Sequence, residues 1–305
     1  MDFDQLKYFA HVAKLRSFTV ASQRLNIAQS ALSRQVKTLE QELGVELLAR
    51  TTHSVVPTEA GLRLLEMSDY ILHYIDQIGD KVRETAAEPA GSIALGLLPA
   101  VAYIVTPPLL KRVRKEFPKI TVLVSEGLES FLRDRLLMGQ VDLAVMTAGR
   151  LVKGLTELHA VDEEMVLTGL PSALERFPDP VPLRQLADVP ILTTEGFKKV
   201  ILNSAQAAGV SIRFEMEQNS LMVVKVMLQQ GSGISMLPYT VVHEENSEGR
   251  FGIRRICEPQ MIRHLAIVKP EYRPSSRALV AIEGILMEEL RRMPISPEAV
   301  AAGPA

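Results

Sequence analysis

The chain has 305 residues, more than one hydrophobic core usually serves, and 47% of them are apolar against 23% charged, which excludes a disordered chain and favours two or more folded units. No run approaches the roughly 18 apolar residues of a membrane span, and Met1-Asp2-Phe3-Asp4 lacks the basic start and apolar stretch of a secretory signal, so a cytoplasmic protein with no membrane partner is expected. The net charge of −2 would argue against nucleic-acid binding if it were spread evenly, but Gln5 to Leu39 contains no acidic residue while Lys7, Lys14, Arg16, Arg24, Arg34 and Lys37 supply positive charge.

From Asp4 onward, Leu6, Phe9, Ala10 and Ala13 share one helical face, with Asp2 or Asp4 available as a cap. Ser17-Phe18-Thr19 offers a break and a new cap, and a short second helix carrying Val20, Ala21 and Leu25 runs to Asn26-Ile27. A third helix spans Ala28 to Gly44, started by a capping hydroxyl or amide and ended by the glycine, with Leu32, Val36, Leu39 and Leu43 as its buried stripe. Its opposite face gathers Gln29, Ser30, Ser33, Arg34 and Lys37 near the amino-terminal half, where a recognition helix carries the side chains that reach base edges and phosphates. A solvated polar face would look the same, so the helix alone decides nothing.

The run from Phe18 to Glu40, FTVASQRLNIAQSALSRQVKTLE, resembles the helix-turn-helix of the LysR-type transcriptional regulators, and the likeness continues through Leu43 to Arg50 and Pro57-Thr58-Glu59-Ala60-Gly61. The resemblance implies a winged helix-turn-helix over residues 1–58, packed through Ala21, Leu25, Leu32 and Leu39. It implies Gln29, Ser33 and Arg34 as DNA contacts, to which Phe18, Thr19, Ser30 and Lys37 are added. Double-stranded promoter DNA, a small-molecule co-inducer, a second copy of the chain in a homodimer or homotetramer, and RNA polymerase are the partners it implies.

Two short apolar pieces between Glu46 and Thr58 flank the polar turn Thr51-Thr52-His53-Ser54, as a two-stranded wing requires. Arg50 would reach a phosphate or the minor groove. His53 stands where many relatives carry a basic wing tip, and a solvated loop histidine is the plainer reading. The stretch 59–88 reads as a linker helix and hinge: Leu64, Ile71 and Ile78 recur every seven residues, with Met67, Tyr74, Ile75 and Val82 filling the seam. A helix of this length, ~40 Å at ~1.5 Å per residue, is best buried against a second copy. Ala86 to Gly91 ends it.

Residues 89–305 alternate short apolar runs with helical stretches, the rhythm of a parallel sheet covered by helices on both faces. The resemblance implies a bilobal, periplasmic-binding-protein-like α/β effector domain with two crossovers. They are placed near Val161 and Val268, giving lobe I as 89–161 with 268–305 and lobe II as 162–267. A ligand in such a fold sits at the carboxyl ends of strands near helix amino termini, which nominates Pro99, Ala100, Val101, Thr147, Thr193, Thr194, Asn219 and Ser220 for a small anionic metabolite. Ala100 replaces a hydroxyl carried by many relatives, which shifts side-chain contacts to the second lobe.

Other chemistries find little support. Gly231-Ser232-Gly233-Ile234-Ser235 does not match a nucleophile elbow and no His and acid partner it, so no enzyme and no catalytic residue are expected. The six histidines show no metal-ligand spacing, and neither a metal nor a bound cofactor is expected. Cys257, the single cysteine, reads as a small apolar residue before a redox switch. A solute-binding module without DNA role is the alternative function; it suits the second domain and leaves the first unexplained.

Overall fold

The computed structural model describes residues 1–49, the backbone of 50, and 55–65, 67, 68, 71, 72, 75, 88–149, 152–271 and 276–298. The chain divides into two compact units, 1–85 with 138–140, and 86–137 with 141–305.

In the first unit, α1 (Phe3–Leu15), α2 (Phe18–Leu25) and α3 (Gln29–Leu43) are set apart by tight, sequence-encoded breaks. Asp2 and Gln5 form a reciprocal capping box at α1: the Gln5 N–H donates to Asp2 Oδ1 at 2.8 Å and the Asp2 N–H to Gln5 Oε1 at 3.0 Å. Arg16 ends α1 in the left-handed conformation, Ser17 caps α2, and Asn26 ends α2 at φ 54°. Phe9, Val12, Ala21, Leu32, Val36 and Leu39 make the core, joined by Leu47 and Leu48. Two expectations fail here. Leu43, in the last turn of α3, is 40% exposed, and the N-cap of α3 is Ala28, which provides no side-chain cap.

β1 (Leu48–Arg50) and β2 (Val55–Pro57) pair antiparallel as the wing, held to α3 by Glu40, whose Oε1 accepts from the N–H groups of Leu47 and Leu48. Thr58 caps the helix that follows, accepting from the Gly61 N–H at 3.0 Å and donating to the Glu46 carbonyl. Gly61 is forced by contact: a Cβ there would lie 2.0 Å from the Leu47 carbonyl oxygen. Along that helix Leu64 is half-buried against the domain core, Ile71 is half-buried, and Met67 and Ile75 are exposed. Tyr74, Ile78 and Val82, the other seam positions, lie outside the described residues.

The second unit is a mixed sheet rather than the all-parallel one the sequence suggests. Lobe I holds β3 (Gly91–Leu97), α4 (Pro99–Glu116), β4 (Ile120–Glu126), α5 (Glu129–Leu137) and β5 (Leu143–Thr147), with β4-β3-β5 parallel. The 15-residue strand β6 (Leu155–Gly169) then runs through both lobes. Lobe II follows with α6 (Pro171–Leu174), β7 (Val181–Pro182), β8 (Ile191–Thr194), α7 (Glu195–Ala207), β9 (Phe214–Gln218), α8 (Leu221–Gln229), β10 (Ile234–Pro238), α9 (His243–Ser247) and β11 (Gly252–Cys257). The chain returns to lobe I in β12 (Ile262–Pro270) and α10 (Arg277–Arg291). The ladder order is β4-β3-β5-β12-β6-β10-β8-β9, with β11 on β6 and β7 on β11.

β6 pairs with β12 from Leu155 to Glu164 and with β10 from Met165 to Thr168, so the first passage lies close to the expected Val161. The return does not lie at Val268. That residue sits inside the lobe I sheet, opposite Ala144 and Glu157, and the passage is the segment 258–261 between β11 and β12. Each lobe has its own core, and Ala100 on the first turn of α4 packs into the lobe II cluster, with Ile104 touching both.

Candidate DNA face and ligand cleft

On α3, Ser30, Arg34 and Lys37 are exposed on the side away from the buried stripe of Leu32, Val36 and Leu39, Ser33 is half-buried beside them, and Gln29 is exposed at the helix start. Thr19 is exposed on α2, while Phe18 is half-buried against the core. Ala28 provides no side-chain cap to the first turn of α3, and uncapped helix starts receive anions. Arg50 occupies β1 opposite Val55; its side chain and His53 lie outside the described residues.

In the second unit a cavity of about 320 Å³ opens between the lobes. It brings together Pro99, Ala100, Thr147, Thr194 and Asn219 from the sequence-nominated set. It omits the other three. Val101 is buried in the lobe I core, Thr193 is fully buried with its hydroxyl donating to the Thr194 carbonyl, and Ser220 is exposed at the N-cap of α8 off the cavity wall. Thr194 is 5% exposed, and its hydroxyl has no protein partner among the described residues.

Sequence reasoning missed the cations. Arg263, 3% exposed, donates through Nη1 to Glu163 at 3.1 Å and through Nε weakly to Thr147 at 3.4 Å, and its guanidinium lies 5.3 Å from the Phe197 ring centroid. Glu163 is 1% exposed and also accepts from the Thr240 hydroxyl at 2.6 Å. The floor of the cleft is therefore a buried network spanning both lobes: Thr147 from lobe I, the Glu163–Arg263 pair on the connecting strands, and Thr240 and Phe197 from lobe II. Glu164, the next residue, accepts from Arg255 at 2.9 Å, and this bond raises the pKa of the Arg255 guanidinium above its ordinary value. At the mouth, Lys199 of lobe II meets Glu129 of lobe I at 3.6 Å, with Arg133 nearby on α5. With the return strand expected at Val268, nothing in the sequence brought Arg263 to this cleft.

No described helix is long and apolar enough to cross a membrane. The bacterial regulatory helix-turn-helix family of lysR type matches residues 3–62, and the LysR substrate binding domain matches residues 86–291. Among curated relatives, the nitrogen assimilation regulatory protein nac of Klebsiella aerogenes is 29% identical over 96% of each chain. The dual regulator OxyR of Escherichia coli is 26% identical over 90% of each. In fold, the chain is similar to a full-length OxyR variant of Pseudomonas aeruginosa, with TM-score 0.69 and 21% identity over 97% of this chain and 96% of that one. It is similar also to full-length CbnR complexed with its target DNA, with TM-score 0.70 and 22% identity over 96% of this chain and 99% of that one. The chain belongs to the LysR family of bacterial helix-turn-helix regulators, and is a DNA-binding transcription regulator with an effector-binding domain.

Proposed function

We propose that the protein binds an interrupted inverted repeat as a dimer or tetramer, one α3 per half-site in successive major grooves, under the control of a small anionic metabolite held between the lobes of the second unit. It works in the cytoplasm, on promoter DNA and with RNA polymerase, and its task is regulation rather than catalysis. The observation that carries the reading is the exposed row Gln29, Ser30, Arg34 and Lys37 beside an uncapped helix start, in a chain that matches the family over both units. Such a turn offers backbone N–H groups to a phosphate, and the side chains beyond it suit base edges. CbnR, similar in fold, is known on its target DNA. A solute-binding module alone would leave the first unit without a task.

In the cleft, α4 begins with Pro99 and carries neither an acid nor a side-chain cap in its first turn, so the helix start at Ala100, on the cavity wall, suits a carboxylate; the Thr194 hydroxyl and Arg263 support it. A gel shift on the gene's own upstream DNA tests the first half. Affinity is expected to fall steeply with salt, and Arg34→Ala to weaken specific binding more than nonspecific binding. No sequence-dependent shift at any salt concentration would overturn it. For the second half, thermal shift against a panel of small organic acids is expected to find a stabilising ligand whose binding Thr194→Val weakens.

A further inference from the structure

The cleft's charges point to a narrower ligand class than an anion. Five charged residues line the cavity: Glu129, Arg133, Glu195, Lys199 and Arg263. Three are already matched, Arg263 by buried Glu163 and Lys199 by Glu129. The two left, Arg133 on lobe I and Glu195 on lobe II, have no ion pair among the described residues.

The helix starts divide the same way. Each lobe presents two to the cavity. α5 and α7 already carry carboxylates in their first turns, Glu129 and Glu195, whereas α4 and α8 carry no acid and no side-chain cap. A simple anion is welcome at α4 and α8 and repelled at the other two. Between these poles the wall is apolar, built from Leu98, Pro99, Ala100, Leu128, Phe197 and Leu221. The unpartnered Thr194 hydroxyl and the buried Arg263 give the cavity fixed polar groups, so it is more than a set of helix ends.

Resting on the cleft reading above, we propose that the ligand is an α-amino acid with an apolar side chain. Its carboxylate lies on lobe I, at the open first turn of α4 with Arg133 on the same side. Its ammonium lies on lobe II against Glu195, and its side chain lies on the apolar wall. Opposite charges then engage opposite lobes, and one small molecule ties them together. A cavity of about 320 Å³ is at the small end of ligand sites and suits a molecule of this size.

The test uses the full-length protein and matched trios: L-leucine, 4-methylpentanoate and isoamylamine, then L-phenylalanine, 3-phenylpropanoate and phenethylamine, within a thermal-shift panel of the twenty protein amino acids. An apolar amino acid is expected to raise the melting temperature, and calorimetry to show its deaminated and decarboxylated partners binding at least ~10-fold more weakly, as loss of one charge-assisted hydrogen bond implies. Glu195→Gln is expected to bring the amino acid down to the affinity of its deaminated partner. Arg133→Gln is expected to weaken the acid and the amino acid alike. A deaminated acid that binds as tightly as the amino acid, or a panel in which no amino acid shifts melting, overturns the amino-acid class. The cleft reading survives that result if Thr194→Val weakens the acid. A ligand whose affinity ignores Thr194→Val, Glu195→Gln and Arg133→Gln removes the cleft itself.

Discussion

Glycine at position 61 is decided by a single contact. The first turn of the linker helix passes so close to the Leu47 carbonyl that a methyl group at Gly61 has no room, while Thr58 pins the same turn to Glu46. Gly61→Ala must therefore separate the wing from the helix, at about 1 to 3 kcal/mol for an overpacked contact, with a lowered melting temperature and weakened operator binding as the readouts. Residues of this kind are legible from sequence only through resemblance, since composition does not reveal a backbone approach. The buried stripe of α3 is different: Leu32, Val36 and Leu39 follow from helical period alone, and only Leu43, in the last turn, escapes it. Thr193 and Thr194 show where residue type gives out. They are neighbouring hydroxyls, and only Thr194 lines the cavity, because alternate residues of a strand face opposite ways.

At the scale of elements, helices declared themselves and the longest strand did not. β6 reads LTELHAVDEEMVLTG, with three consecutive acids in its middle, and such a run suggests a loop. Glu163 and Glu164 are nonetheless buried, because Arg263 and Arg255 on later strands neutralise them, and partners 100 and 91 residues away leave no local trace. The return passage lies between β11 and β12, not at Val268, which sits inside the lobe I sheet. The linker helix is the opposite case: the seven-residue spacing predicts it, and Leu64 and Ile71 both lie on a helix, while Ile78 is outside the described residues. Leu64 divides its surface between the domain core and the proposed seam. Ile71→Asp is expected to destabilise pairing by several kcal/mol, on the order of an uncompensated buried charge, and to weaken DNA binding with it. Sedimentation equilibrium reads the outcome; an unchanged dimer would shift the interface to the effector domain.

For the molecule as a whole, two units and their order were evident from length, local charge and the change from helical period to strand-helix alternation. The way the two lobes join was not, because it rests on pairs distant in sequence. Glu163 and Arg263 hold that junction with both charges out of water. Removing one partner, in Glu163→Leu or Arg263→Met, is expected to cost about 3 to 5 kcal/mol, whereas the double variant should recover most of the stability, since no charge is then left buried alone. Denaturant melts of the three variants decide it, and a double variant as unstable as the sum would show that the two residues are not coupled.

The passage of β6 between lobes is an unbroken strand whose amides are already engaged on both sides: the Glu164 N–H donates to the Ile295 carbonyl and the Met165 N–H to the Met261 carbonyl. A joint of this sort behaves as a torsion bar rather than a pin. Twisting about the strand is expected to keep both bonds, and folding the lobes like a book to break them. The ligand's signal is then expected to travel as a small rotation and a stiffening. Hydrogen exchange at Glu164 and Met165 should slow on ligand binding even where the envelope of the molecule, measured by small-angle scattering, stays the same.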